Sequence, residues 1–139
     1  MVSRDNLVYS IASASRILGV KRESIKGFKR FWKVCWIWIK GQRPFFISKL
    51  VFNRHFAEHR QRQGAELTAK SWPEAPQWYT VENQAKGTSY PVTLEDDGPE
   101  CACHDYQNQV VILGKGICKH GYAVLLKLGY GSLREYLAA

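Results

Sequence analysis

The spacing of apolar residues predicts a short helix near the start of the chain. Ile11, Ala14 and Leu18 recur at intervals that place them on one helical face. Ser10 precedes them as a favoured N-cap residue, and Gly19 follows where a left-handed residue commonly ends a helix. We therefore predict a helix over residues 11–18.

A second helix is predicted over residues 22–32, because Ile25, Phe28 and Trp32 follow one another at i, i+3 and i+7. The other side of this segment and its entry collect the basic residues Lys21, Arg22, Lys26, Lys29, Arg30 and Lys33. Two short helices around a tight turn form a helix-turn-helix, whose basic second helix suits the major groove of DNA.

The next segments have the pattern of a hairpin followed by a helix. Residues 34–39 alternate β-branched and aromatic side chains, residues 41–44 have the composition of a turn, and residues 45–47 that of a second strand. A third helix is predicted over residues 48–63. The hairpin is thus placed to form the wing of a winged helix-turn-helix.

The second half of the chain predicts a smaller hairpin and helix module. Residues 78–82 and 89–94 have the composition of strands. Pro91 cannot donate to a sheet ladder, so we expect its strand to lie at the edge of the sheet. The apolar run at residues 121–128 is rich in helix formers and is followed by Gly129. The predicted fold class is α+β, with an N-terminal winged helix-turn-helix before this module.

Charge is distributed unevenly along the chain. Residues 1–70 contain 15 Lys and Arg against 4 Asp and Glu, a net charge of +11, whereas residues 71–139 contain 5 against 8, a net charge of −3. Such a division indicates two modules with separate partners. We predict a DNA-binding domain over residues 1–62, a linker over residues 63–76 and a second domain over residues 77–139.

Three cysteines and a histidine in the second domain have the pattern of a metal site. Cys101 and Cys103 form one pair, Cys118 and His120 the other, and together they provide the four ligands of a structural zinc ion with no position left open. Residues i and i+2 of an extended chain point the same way, so the first pair can face one ion from a strand end. A Cys101–Cys103 disulfide is the weaker alternative, since it would close a strained ring and leave Cys118 to pair with Cys35 or remain free.

This pattern resembles the SWIM zinc finger, in which Cys-x-Cys, a variable loop and Cys-x-His on a short helix follow a β-hairpin. The resemblance covers roughly the last 60 residues, judged by the order of hairpin, ligands and helix. It implies one structural zinc ion held by Cys101, Cys103, Cys118 and His120, and a role in DNA or protein binding. His104 stands where we expect a non-ligand such as proline, and it is the competing ligand to the favoured His120.

The first half resembles the winged helix-turn-helix of excisionase and MerR-type DNA-binding domains over about residues 7–62, with Leu18-Gly19-Val20 at the turn. The resemblance and the charge predict double-stranded DNA as the partner. Candidate contacts to base edges are Ser24, Lys26, Lys29 and Arg30, and candidate contacts to phosphates are Arg22, Lys33, Lys40, Arg43 and Lys49. Lys21, at the entry of the predicted second helix, is a further DNA-binding candidate.

The aromatic residues Trp32, Trp36, Trp38, Phe45 and Phe46 offer a different kind of contact, since such rings stack on unpaired bases in single-strand binders. Strand alternation sends half of them toward a core, and we expect packing to account for most of them. Cys35 is expected to be a small buried apolar residue.

The remaining features bound the function. No grouping of acidic, nucleophilic and histidine side chains has the pattern of a catalytic site once the metal ligands are set aside, so we predict a non-enzyme. No signal peptide or membrane span is predicted, and thiolate ligands fit a reducing compartment, which favours the cytoplasm with its nucleoid, or a eukaryotic nucleus.

The predicted function is that of a small zinc-containing DNA-binding protein, a transcriptional regulator or an accessory factor of recombination or transposition. The alternative is an adaptor that recruits a helicase, recombinase or polymerase to nucleic acid. We expect the zinc module to bind a protein partner, and a homodimer is a further hypothesis.

Overall fold

A computed structural model describes residues 3–139 of the chain. It is an α+β structure with two antiparallel sheets, and it divides into two compact units, Met1–Glu58 and His59–Ala139. The division falls within one helix. Each unit has its own sheet and its own core.

The first unit is a three-stranded antiparallel sheet, in the order β1-β2-β3, with helices on one face. Its elements are α1 (Arg4–Leu7), α2 (Ile11–Leu18), a short 3₁₀ helix (Arg22–Ser24), β1 (Ile25–Arg30), β2 (Val34–Ile39), β3 (Phe45–Ser48) and the first part of α3 (Lys49–Ala65). The predicted first helix is confirmed with its caps, because the Ser10 side chain accepts from the Ser13 N–H and Gly19 has φ +68°. The hairpin and third helix are confirmed as well.

The predicted second helix over residues 22–32 is wrong, and with it the helix-turn-helix. Strand β1 occupies most of this segment, after the short 3₁₀ helix. The register of β1 on β2 shifts between Ile25 and Gly27, so that Ile25 lies opposite Ile39 and Phe28 opposite Ile37. A β-bulge adds one residue to a strand. Two residues three apart therefore face the same core, and the strand imitates helical spacing.

The core of the first unit lies between the sheet and its helices. Ile37 and Phe52 are fully buried, and Phe28 and Phe52 meet edge to face with ring centroids 6.2 Å apart. Cys35 is fully buried, as expected. This covered side of the sheet is the inner face, and the opposite side is the outer face.

The second unit is a four-stranded antiparallel sheet in the order β4-β5-β6-β7 with three further helices. Its elements after α3 are β4 (Thr68–Trp72), β5 (Ala75–Asn83), β6 (Thr88–Glu95), β7 (Gly98–Cys101), α4 (His104–Leu113), α5 (Lys119–Lys127) and α6 (Leu133–Ala138). Residues 63–76, predicted as a linker, contain the end of α3 and all of β4. The predicted hairpin and the helix after His120 are confirmed.

The expected edge position of Pro91 is wrong, because β6 pairs with β5 on one side and with β7 on the other. The pairing with β7 begins only at Val92, opposite Cys101. Pro91 is paired with Thr80 of β5 but lies just past the end of β7, so the ladder between β6 and β7 loses no hydrogen bond at this position.

Within residues 3–139, no helix combines the length and apolar character that crossing a bilayer requires.

Candidate metal centre and nucleic-acid interface

The four predicted metal ligands lie together in the second unit. Cys101 ends β7, Cys103 is the N-cap of α4, Cys118 is the N-cap of α5, and His120 lies in the first turn of α5. Their ligand atoms are all within 4.8 Å of one another, and all four residues are buried. All four cysteines of the chain are free thiols, so the disulfide alternative is not adopted.

Two distances in this cluster are close to those of a tetrahedral ion. The Nδ1 atom of His120 lies 3.7 Å from the sulfur of Cys101 and 3.7 Å from that of Cys118. Zinc bonds of about 2.3 Å to sulfur and about 2.0 Å to nitrogen, at tetrahedral angles, separate the ligand atoms by roughly 3.5–3.8 Å. The other separations do not exceed 4.8 Å, so the cluster could hold a metal ion. His104, the competing candidate, is exposed and lies outside the cluster.

The three thiols differ in acidity because they share hydrogen bonds. Cys101 and Cys118 both donate toward the sulfur of Cys103, which holds the pKa of Cys103 far below its ordinary value. The hydrogen bond with Cys103 raises the pKa of Cys101 to about 11, and hydrogen bonding with Cys101 raises the pKa of Cys118 even more strongly. The raised pKa values of Cys101 and Cys118 favour their protonated forms. A metal ion binds thiolates, so its binding would release protons and its affinity would rise with pH.

Neighbouring groups fix the ligands in place. The Tyr106 N–H donates to the sulfur of Cys103 at 3.4 Å, and the ring of Tyr90 packs against that of His120 with centroids 4.6 Å apart. These contacts leave the His120 ring little freedom to turn, which is what an ordered ligand requires.

A second layer of contacts fixes the segment before Cys118. The Nε2 group of Gln109 donates to the Ile117 carbonyl at 3.0 Å, and its Oε1 accepts from the Ile117 N–H at 3.0 Å. The same Nε2 donates to Asp105, which forms a bidentate pair with Arg60 at 2.7 and 2.8 Å. Sequence reasoning missed this chain of contacts. Gln109 follows Gln107 and Asn108 in the sequence, so no local signal distinguishes it.

The predicted DNA-binding residues do not share one helical face. Lys29 lies opposite Trp36 on the outer face of the first sheet, whereas Arg30 donates to the Tyr9 carbonyl at 2.7 Å from the other side. Lys49 lies over the Tyr9 ring at 4.6 Å. The remaining candidates lie in turns, in the 3₁₀ segment or at the bulge, namely Lys21, Arg22, Ser24, Lys26, Lys33, Lys40 and Arg43.

The outer face of the first sheet carries aromatic rings that the expectation of core packing does not explain. Trp38 is 42% exposed, Phe46 62% and Trp32, in the turn after β1, 88%. Phe45 alone of the predicted set packs against the core, and Trp36 is half-buried. Alternation in β2 was the available signal, since Cys35, Ile37 and Ile39 occupy the buried positions between the tryptophans.

No acidic residue lies in this sheet or its turns. Residues 25–48 contain six Lys and Arg and no Asp or Glu. The whole first unit has 12 basic residues against 3 acidic ones, whereas the second unit has 8 against 9. The positive charge is therefore a property of the first unit.

Comparison of the chain with protein-family models, with curated proteins and with solved structures gave no match.

Proposed function

We propose that this protein binds nucleic acid through its first unit and that a structural zinc ion stabilises its second unit. The observation that carries the first part is the one-signed charge of residues 25–48. A surface that only keeps a protein soluble mixes both signs, whereas a stretch without a single carboxylate attracts phosphates and releases their counterions. This activity suits a transcriptional regulator or an accessory factor of recombination or transposition.

The second part of the proposal is carried by the donor set. Three buried sulfurs and one imidazole nitrogen within 4.8 Å of one another are a donor set typical of structural zinc, which leaves no position for substrate or water. Elemental analysis of the purified protein should find about one zinc per chain, and Cys118→Ser should lose it. A folded wild-type protein without bound metal would contradict the assignment.

The nucleic-acid part is tested by the salt dependence of binding. Lys33 and Lys40 are exposed in the two turns of the first sheet. Replacing both with Ala should weaken binding of a labelled DNA strand or duplex and reduce the slope of log K against log salt by about 1.4 to 1.8, because two phosphate contacts are lost. Fluorescence anisotropy at several salt concentrations measures both quantities.

A matched control removes the same charge from the other unit. Lys115 and Lys127 are exposed in the second unit, and replacing both with Ala should leave the salt slope unchanged. Equal effects of the two double variants would show that net charge alone attracts DNA. Absence of binding by the wild type at low salt would refute the proposed function.

A second candidate function is that of a protein-binding adaptor. Trp72 and Trp78 of the second unit form an exposed pair with ring centroids 5.8 Å apart, and Val111 on α4 is 84% exposed. Aromatic rings are enriched in protein interfaces, and this unit lacks the positive charge that nucleic acid requires. Sedimentation of the wild type against Trp78→Ala tests self-association, the simplest form of this function. If the wild type and Trp78→Ala both sediment as monomers, the homodimer is excluded.

A further inference from the structure

The outer face of the first sheet carries a lysine, a glycine and three aromatic side chains, with the Val34 and Ser48 pair at one end. We propose that this face binds single-stranded nucleic acid by stacking unpaired bases on its rings. The proposal rests on the proposed function and names the form of nucleic acid that the protein binds.

The rings are spaced for neighbouring bases. Trp36 and Trp38 lie on the same side of β2, about 6.6 Å apart along the strand. Phe46 lies directly opposite Trp36 on β3, so its Cβ is about 5 Å away. Phe31 meets Phe46 edge to face with centroids 6.3 Å apart and extends the row. Sheets with two or three exposed rings in such positions stack two or three bases of a single strand.

Gly27 leaves room for the Trp36 ring. A Cβ atom at position 27 would lie 2.6 Å from Cζ3 and 3.1 Å from Cη2 of Trp36, so the edge of the indole lies close against the backbone of β1. A side chain at position 27 would displace this ring from its place on the outer face.

Positive charge lies beside the rings and at both ends of them. The Nζ atom of Lys29 is 5.5 Å from the centroid of the Trp36 ring. Lys33 is in the turn that precedes β2, while Lys40 and Arg43 are in the turn that follows it. A single nucleic-acid strand whose bases stack on the rings of β2 and β3 would thus find a cation for its phosphates at each end of the row and one in the middle.

This combination favours a single strand over a duplex. In a duplex the flat faces of the bases are covered by their neighbours, and a protein reads the exposed edges with hydrogen-bonding side chains. The polar side chains on this face are Lys29 and Ser48, and the Ser48 hydroxyl accepts from the Leu50 N–H. The outer face therefore offers mainly rings rather than edge-reading groups.

The test measures how tightly the protein binds each of three labelled oligonucleotides of about 15 nucleotides. One is a mixed-sequence single strand, the second is its duplex, and the third is the same strand with abasic sites throughout its centre. We expect the duplex and the abasic strand to bind more weakly than the intact strand. Trp38→Ala and Phe46→Ala should each weaken binding of the intact strand by about 5- to 100-fold and leave the weak abasic binding unchanged, since one stacking contact is lost.

The matched control is Leu126→Ala, which removes an apolar side chain of similar exposure, 41% against 42% for Trp38, from a helix of the other unit. It should bind the intact strand as the wild type does. Trp38→Leu retains the apolar contact without the aromatic face, and it replaces Trp38→Ala if that variant unfolds. If the wild type binds the duplex or the abasic strand as tightly as it binds the intact strand, the stacking proposal is wrong and the proposed function still stands. A wild type that binds none of the three overturns both.

Discussion

Gln109 offers the sharpest test of how the metal site is held together. Its side chain is 2% exposed and makes three hydrogen bonds, one to Asp105 and two to the backbone of Ile117, the residue before the ligand Cys118. Replacing Gln109 with Ala removes all three. It also leaves the N–H and carbonyl groups of Ile117 without their partner in a half-buried position.

The expected cost follows from these contacts. Each hydrogen bond contributes about 1 kcal/mol net, and a buried group left unpaired costs about 1–3 kcal/mol. Water can reach part of the Ile117 segment, so we expect Gln109→Ala to lower the free energy of unfolding of the second unit by about 3 kcal/mol. Loss of a group that orients a metal ligand commonly weakens metal binding by about 10- to 100-fold, and we expect a loss of that size.

The assay is urea unfolding of the metal-loaded protein together with metal transfer to a chromogenic chelator. Gln107→Ala is the matched control, because Gln107 is exposed on the same helix. It should change stability by no more than about 0.5 kcal/mol. If Gln109→Ala retains its metal and its stability as Gln107→Ala does, the side chain does not position the ligand and the reasoning from its hydrogen bonds is wrong.

Three further predictions concern the second unit. Removal of the metal with a strong chelator should unfold this unit, because the three buried cysteines and His120 then lose the ion that joins them; a far-UV spectrum that does not change would contradict this. Gly64→Ala should destabilise the protein although Ala favours helices, since a Cβ there would lie 2.8 Å from the Lys119 carbonyl oxygen; a higher urea midpoint would contradict it. Tyr136 donates its O–H to the Glu95 carbonyl at 2.7 Å, and burial, followed by the Asp96 carboxylate, raises its pKa. Its contribution is therefore complete below about pH 10 and is lost as pH rises above that value, so Tyr136→Phe should make stability less dependent on pH in this range.

The metal cluster was predictable because its geometry is mostly local. Cys101 and Cys103 are two residues apart at a strand end, and Cys118 and His120 are two residues apart at a helix start. Residue type and spacing therefore define each half of the set. The role of Gln109 was not predictable in the same way, because it depends on the loop after α4 bringing the Ile117 backbone back against the Gln109 side chain.

The first unit shows the opposite case. Helical spacing of Ile25 and Phe28 came from a bulge in β1, and only pairing with β2 distinguishes the two structures. The same pairing sends Lys29 to one face and Arg30 to the other, which separates residues that a helix would have grouped.

The sequence by itself determined the four residues that could hold a metal ion, the caps of the first helix and the unequal charge of the two halves, since each of these depends on residues close together in the chain or on composition alone. Tertiary structure decided that residues 25–30 form a strand and which polar groups lie against the Cys and His cluster. Alternation in β2 indicates which of its residues share a face, but which face is covered depends on what packs against the strand from elsewhere in the chain.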